Sequence, residues 1–132
     1  LIGVYGLKNR VDIVGDVTEE RLNMLYAAAR VAVIINNERG FGMPAMEAAA
    51  NGCTFVIPSE CGVARYFLDT KDGFYFTYGD KGQLAGHLRR LLNDERLAYE
   101  MGKHAWQTVR DRYSWRQHVQ TVLAKVQAKH RK

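Results

Sequence analysis

Two apolar runs without polar alternation constrain the fold of this 132-residue chain more than any other feature. Residues 31–35 read VAVII and residues 53–57 read CTFVI. A strand with one wet face alternates apolar and polar residues, whereas a continuous apolar run is typical of a strand covered by helices on both faces of a parallel sheet. The sequence therefore predicts a parallel sheet, with the run at 31–35 as its central strand.

Further strands and helices alternate around these runs. Residues 11–15 (VDIVG) and 74–77 (FYFT) predict a first and a fourth strand. Between the strands, the sequence predicts a helix capped by Thr18, a helix from Pro44 to Ala50 and a short helix over 63–68. The order β-α-β-α-β-α-β indicates an α/β fold, a Rossmann-like doubly wound and mainly parallel sheet with helices on both faces.

The C-terminal end of the chain is predicted to be helical. Asp80, Asp94 and Ser114 are each placed as the N-cap of a helix. The last helix, about 113–132, carries one apolar stripe and a basic end, so it should dock on something apolar. The stripe consists of Trp115, Val119, Val122, Leu123 and Val126. A facing domain and an anionic membrane surface are the two partners that fit this pattern.

The charge balance favours anionic partners. Lysine and arginine number 19 against 14 acidic residues, which gives a net charge of +5. The sequence has no platform of interleaved aromatic and basic residues, so nucleic acid is not an expected partner. The two cysteines and four histidines lack metal-ligand spacing, and Asp-x-Asp is absent, so we expect no metal. We expect a cytoplasmic setting, with peripheral attachment to the inner face of a membrane as an extension.

The loop after the 31–35 run is the candidate ligand site. Gly40 and Gly42 let the backbone approach a ligand, and the N-terminus of the helix that follows offers N–H groups and a dipole that suit a phosphate. Glu47, three residues after Pro44, supplies a carboxylate that can accept both hydroxyls of a ribose. The alternatives are a plain tight turn at the glycines and an acid stabilised by the helix dipole at Glu47.

Residues 40–48 (GFGMPAMEA) resemble the donor-site motif of the retaining family 4 glycosyltransferases, the group 1 transferases. The resemblance extends over roughly residues 5–120, including residues 11–15 and the closing Tyr113-Ser114-Trp115. In that family two Rossmann-like domains face each other across a cleft, the GT-B architecture, and the C-terminal one binds a nucleoside diphosphate sugar. The resemblance implies that residues 1–132 form a single, partial domain of that C-terminal type.

The resemblance also implies roles for individual residues. The backbone at Gly40, Phe41, Gly42 and Met43 would face the diphosphate or the sugar, and Glu47 would hold the ribose hydroxyls. The sugar would pass to an acceptor with retention, without a cofactor or metal. Because the acceptor site and the candidate catalytic groups of the family lie largely in the N-terminal domain, no catalytic residue is assigned, and this chain alone should be inactive.

The sequence departs from the family pattern at three places. Arg39 stands where the family has the leading glutamate that contacts the sugar, and Glu38 lies one residue away. Where the family often has Gly-Gly-x-x-Glu, this chain has Gly62 followed by Arg65 in place of the acid. Two family strands before residue 11 are missing. The two arginines either strengthen anion binding or indicate a degenerate, non-catalytic nucleotide-binding or interaction module, which is the alternative to a transferase.

Overall fold

A computed structural model describes residues 1–35 and 40–130, with side chains as far as residue 128. The elements are α1 (Glu19–Ala28), β1 (Val31–Val33), α2 (Met43–Ala50), β2 (Thr54–Pro58), a 3₁₀ helix (Gly62–Tyr66), β3 (Gly73–Phe76), α3 (Lys81–Asn93), α4 (Glu95–Arg112) and α5 (Trp115–His130). Strands and helices alternate up to β3, and the chain is helical from there on. The predicted α/β class and the helical C-terminal end are confirmed.

The three strands form one parallel sheet in the order β1-β2-β3. Ala32 pairs with Phe55, and Val56 pairs with Phe74. Every residue of β2 is buried, so β2 is the central strand of the described sheet. The placement of residues 31–35 as the central strand is wrong for the described residues, because β1 pairs on one side only and its Val33 is 41% exposed.

Residues 11–15 do not form the predicted first strand. A strand is defined by hydrogen bonds to a neighbouring strand, and within the described residues this segment has no such neighbour. Its Ile13 is 83% exposed, so β propensity alone does not bury it. Within residues 1–35 and 40–130, the predicted order of four strands is therefore corrected to three.

Helices cover both faces of the sheet, as predicted. On one face, Ala45, Ala48 and Ala49 of α2 pack against Phe55 and Ile57 of β2. On the other face, Leu91 of α3 packs with Ala98 and Met101 of α4. These three side chains cover Val56 of β2 and Phe74 and Phe76 of β3, and together they form a second apolar cluster. The small side chains of α2 let that helix lie close to the sheet, which fixes the position of the loop before it.

Helix α4 joins the two faces by crossing the amino ends of the strands. Gly102 lies against the backbone of Gly52 and Thr54 at the start of β2, so a β-carbon there would overlap the Gly52 carbonyl. Ala98 and Met101 are buried on the α3 side. Helix α4 therefore covers the amino ends of the strands, called the amino edge of the sheet below. The carboxyl ends of the strands, called the carboxyl edge, are lined by loops.

Side-chain caps begin four of the helices, as the sequence predicts. Thr18, Asp80, Asp94 and Ser114 each accept a hydrogen bond from the backbone N–H three residues later, at 2.9 to 3.3 Å. Helix α2 differs, since its N-cap is Gly42 and it has no side-chain cap. The start of α2 is thus set by glycine conformation and not by a capping hydroxyl or carboxylate.

Helix α5 exposes its whole apolar stripe. Trp115 is 82% exposed, and the other four stripe residues are 44 to 53% exposed. The stripe is therefore not docked within the described residues, and its predicted docking surface stays a prediction. Within the described ranges, no helix is long and apolar enough to cross a membrane.

Candidate functional site

Residues 40–42, called the glycine loop below, lie at the carboxyl edge of the sheet and lead into α2. Gly42 has φ 88° and ψ 40°, the left-handed region that favours glycine. A β-carbon on Gly42 would lie 2.5 Å from Cys61 Sγ and 2.9 Å from Val63 Cγ1. Both the backbone conformation and the space around residue 42 therefore require glycine.

The 3₁₀ helix holds this loop from the side of β2. The N–H of Gly62 donates to the carbonyl of Gly40 at 3.1 Å, and the thiol of Cys61 lies 3.8 Å from the carbonyl of Phe41. A β-carbon on Gly62 would lie 3.1 Å from the Gly40 oxygen, so the backbones meet closely. The structure thus brings Gly62 against the predicted loop residues Gly40 and Phe41, although these are 22 and 21 positions away in sequence.

Few amides at the start of α2 are free for a ligand. Pro44 has no N–H, and the N–H of Ala45 donates to the carbonyl of Gly42 at 3.0 Å. The expectation that the N-terminus of this helix offers unpaired N–H groups therefore does not extend to Pro44 and Ala45. Met43, which is 53% exposed and begins the helix, and the glycine loop before it are the part that can face a ligand.

An aromatic ladder connects the loop to the end of α4. The ring of Phe41 lies 5.4 Å from that of Tyr66, which lies 5.5 Å from that of Tyr113. The hydroxyl of Tyr113 donates to the carbonyl of Tyr66 at 3.3 Å. The sequence does not predict this ladder, because its members are far apart in the chain and follow no common period. The ladder keeps Phe41, which is 45% exposed, at the rim of the site.

Glu47 is half-buried and lies one turn into α2. Its Oε2 accepts a hydrogen bond from the Tyr26 hydroxyl at 3.4 Å. Burial, and then the charge of Glu47, raise the pKa of Tyr26, so this hydroxyl stays protonated and donates. The first turn of α2 contains no acidic residue, which counts against the alternative that Glu47 only stabilises the helix dipole.

The remaining predicted site residues are placed as follows. Arg65 lies on the 3₁₀ helix with an exposed side chain. Glu38 and Arg39 lie outside the described residues. Within the described ranges, no group of three or more histidine, cysteine or acidic residues is arranged to hold a metal ion.

A buried polar network that the sequence does not predict lies at the opposite edge of the sheet, at the amino ends of the strands. The carboxylate of Asp72 is fully buried, and it accepts from the N–H of Leu68 at 2.6 Å and from the hydroxyl of Thr108 at 3.0 Å. Nδ1 of His104 lies 2.6 Å from the same carboxylate. Because Asp72 precedes β3 and its side-chain partners Thr108 and His104 lie on α4, this network holds α4 against the amino edge. We assign it to stability, since the candidate site lies at the carboxyl edge.

Comparisons with known proteins agree with this architecture. The family model of the group 1 glycosyl transferases matches residues 1–108. The mannosylfructose-phosphate synthase of Agrobacterium fabrum is 27% identical over 124 residues, which are 94% of this chain and 27% of that protein. The MMP alpha-(1->4)-mannosyltransferase of Mycolicibacterium hassiacum is 30% identical over an alignment that covers 100% of this chain and 31% of that protein.

A solved structure shows the same fold over nearly the whole chain. The sucrose-phosphate synthase of Thermosynechococcus elongatus superposes with a TM-score of 0.86 and 26% identity, covering 99% of this chain and 33% of that one. The chain therefore spans a third or less of the length of these relatives. What is matched is one part of proteins that are considerably longer.

Proposed function

This chain belongs to the group 1 glycosyl transferases, and from that premise we propose that it binds the glycosyl donor, a nucleoside diphosphate sugar. The observation that carries the proposal is the pairing of a glycine loop at the carboxyl edge with Glu47 on the helix that follows. Ligands of open parallel sheets bind beyond the carboxyl ends of the strands, which is the edge that α4 leaves open.

The dimensions of the site suit a diphosphate joined to a ribose. The diphosphate would lie over residues 40–43, where the backbone amide of Met43 begins the helix. Glu47 lies four residues farther along α2, or about 6 Å along the helix axis. A carboxylate at that distance can accept hydrogen bonds from both ribose hydroxyls.

In the proposed reaction, the bond between the anomeric carbon of the sugar and the diphosphate oxygen breaks. A new bond forms from that carbon to an acceptor hydroxyl oxygen with retention of configuration, and the hydroxyl proton leaves with the diphosphate. This chain would contribute the donor side. The acceptor side would come from a facing domain, for which the exposed stripe of α5 is a docking surface. The absence of acidic residues in α5 makes an anionic membrane surface the alternative occupant.

Nucleotide titration of the chain and of Glu47→Ala tests the proposal. We expect one of UDP, GDP and ADP to bind in preference to the others, and the Kd of that nucleotide to rise about 10-fold or more in Glu47→Ala, because charge-assisted hydrogen bonds to the ribose are lost. Isothermal titration at two salt concentrations separates this effect from general charge attraction.

Glu100→Ala is the matched control, because Glu100 is an exposed acid on α4 and its removal changes the net charge by the same amount. It should leave the Kd unchanged. The proposal would be contradicted if added salt weakened the binding of all three nucleotides equally and if Glu47→Ala and Glu100→Ala had the same Kd values. Binding of the free nucleotide without binding of any of its sugar conjugates would instead support a degenerate, non-catalytic module.

A further inference from the structure

Two side-chain hydrogen bonds join α1 to α2. The Tyr26 hydroxyl donates to Oε2 of Glu47 at 3.4 Å. The amide nitrogen of Asn51 donates to Oδ1 of Asn23 at 3.0 Å and also to the carbonyl of Glu47 at 2.9 Å. The first bond reaches the Glu47 carboxylate, whereas the second links the same two helices without touching it.

The bond from Tyr26 leaves most of the Glu47 carboxylate open. A carboxylate has two oxygens with about four acceptor positions, and Tyr26 occupies a single position on Oε2. Among the described residues, Oε1 and the rest of Oε2 therefore stay available to two further hydroxyl donors. Tyr26 thus restrains the rotation of the Glu47 side chain without competing for the acceptor positions that a ribose would need.

We propose that Tyr26 is a positioning residue for the glycosyl donor, whose hydroxyl holds the Glu47 carboxylate in the orientation that accepts both ribose hydroxyls. This inference rests on the proposed function of Glu47. Through Tyr26, α1 would contribute to ligand binding, although it supplies no other residue of the candidate site.

The packing of Tyr26 fits this role. Its ring is half-buried against the apolar cluster that contains Ala45, Ala48 and Ala49 of α2, so the hydroxyl has a fixed position relative to that helix. The raised pKa of Tyr26, caused first by burial and then by the Glu47 charge, keeps the hydroxyl a neutral donor. A neutral donor can hold the carboxylate without cancelling its charge.

Tyr26→Phe tests the inference, because it keeps the ring and removes only the hydroxyl. The probes are UDP, GDP and ADP, each compared with its 2′,3′-dideoxy form, in NMR titrations that detect weak binding. We expect Tyr26→Phe to raise the Kd of the preferred ribonucleotide by about 2- to 10-fold, the usual effect of one hydrogen bond. The Kd of the dideoxy form should be the same in the variant and the wild type, because the contact that Tyr26 organises is absent from that ligand.

Asn23→Ala is the matched control, since it removes the other bond between α1 and α2 and leaves the carboxylate in place. It should change neither Kd. Equal weakening of the ribose and dideoxy forms by Tyr26→Phe would show a merely structural role and overturn the inference. The inference would also be overturned if Tyr26→Phe left the ribonucleotide Kd unchanged while Glu47→Ala lost binding. If Glu47→Ala has no effect, or if no nucleotide binds, the proposed function fails and this inference fails with it.

Discussion

Replacing Asp72 with alanine is expected to lower the free energy of unfolding by about 3 to 4 kcal/mol. The fully buried carboxylate accepts hydrogen bonds from Leu68 and Thr108 and lies beside the imidazole of His104. Its removal leaves the part-buried N–H of Leu68 and the buried hydroxyl of Thr108 without this acceptor, and it opens a cavity where α4 meets the amino edge of the sheet. Urea denaturation followed by circular dichroism measures the change.

Asp69 provides the control, because its exposed carboxylate also accepts two backbone hydrogen bonds, from Thr70 and Tyr75. Asp69→Ala should cost about 1 kcal/mol, since water can replace the lost acceptor. His104→Ala should lie near that lower value, because the imidazole side chain is 42% exposed. An Asp72→Ala variant as stable as Asp69→Ala would show that the buried network does not fasten α4.

The second large effect is expected at the glycine loop. Gly42→Ala should lower the free energy of unfolding by about 2 to 4 kcal/mol, since left-handed strain adds to overpacking. The new methyl group would overlap Cys61 Sγ and Val63 Cγ1, at 2.5 and 2.9 Å. Because the loop or the 3₁₀ helix must move to relieve this overlap, nucleotide affinity should fall in the same variant.

Gly79→Ala separates strain from overlap. Gly79 has φ 86°, almost the value at Gly42, but a β-carbon there would have no atom within 4 Å. It should cost about 1 kcal/mol, the strain of a left-handed alanine alone. Thermal or urea unfolding of the two variants gives the difference directly. Equal losses would mean that residue 42 needs glycine for its backbone only, and that the 3₁₀ helix does not confine the loop.

The sequence predicts the buried elements and the helix starts well, because these depend on local patterns. The continuous apolar run at 53–57 corresponds to β2, whose residues are all buried, and the caps at Thr18, Asp80 and Asp94 have the hydrogen bonds that their side chains predict. Both signals come from a few consecutive residues, so neighbouring elements do not alter them.

The sequence does not predict which strands lie side by side in the sheet. The run at 31–35 is apolar throughout, yet β1 lies at a free edge of the described sheet and Ile35 is 62% exposed. Residues 11–15 have equally clear β propensity and form no strand. An apolar pattern indicates that a segment can be buried between layers, but the strand beside it is decided by the rest of the chain.

The sequence predicts the backbone features of the candidate site, but it does not predict which side chains contact one another. The two glycines before a helix indicated a close backbone approach, and the backbones of Gly40 and Gly62 do meet closely. The contact of Tyr26 with Glu47, 21 residues apart, and that of Asp72 with His104, 32 residues apart, depend on how helices cross the sheet. No period or spacing in the sequence relates these residues.

If the diphosphate lies over the glycine loop, two-dimensional ¹H–¹⁵N NMR of the chain during nucleotide titration will detect the contact at individual backbone amides. We expect saturable shifts of the backbone amides at residues 40–43, with a common Kd and with little change at Gly52 and Tyr99 on the amino edge. Saturable shifts confined to that amino edge, or shifts spread over the surface lysines and arginines without saturation, would contradict it.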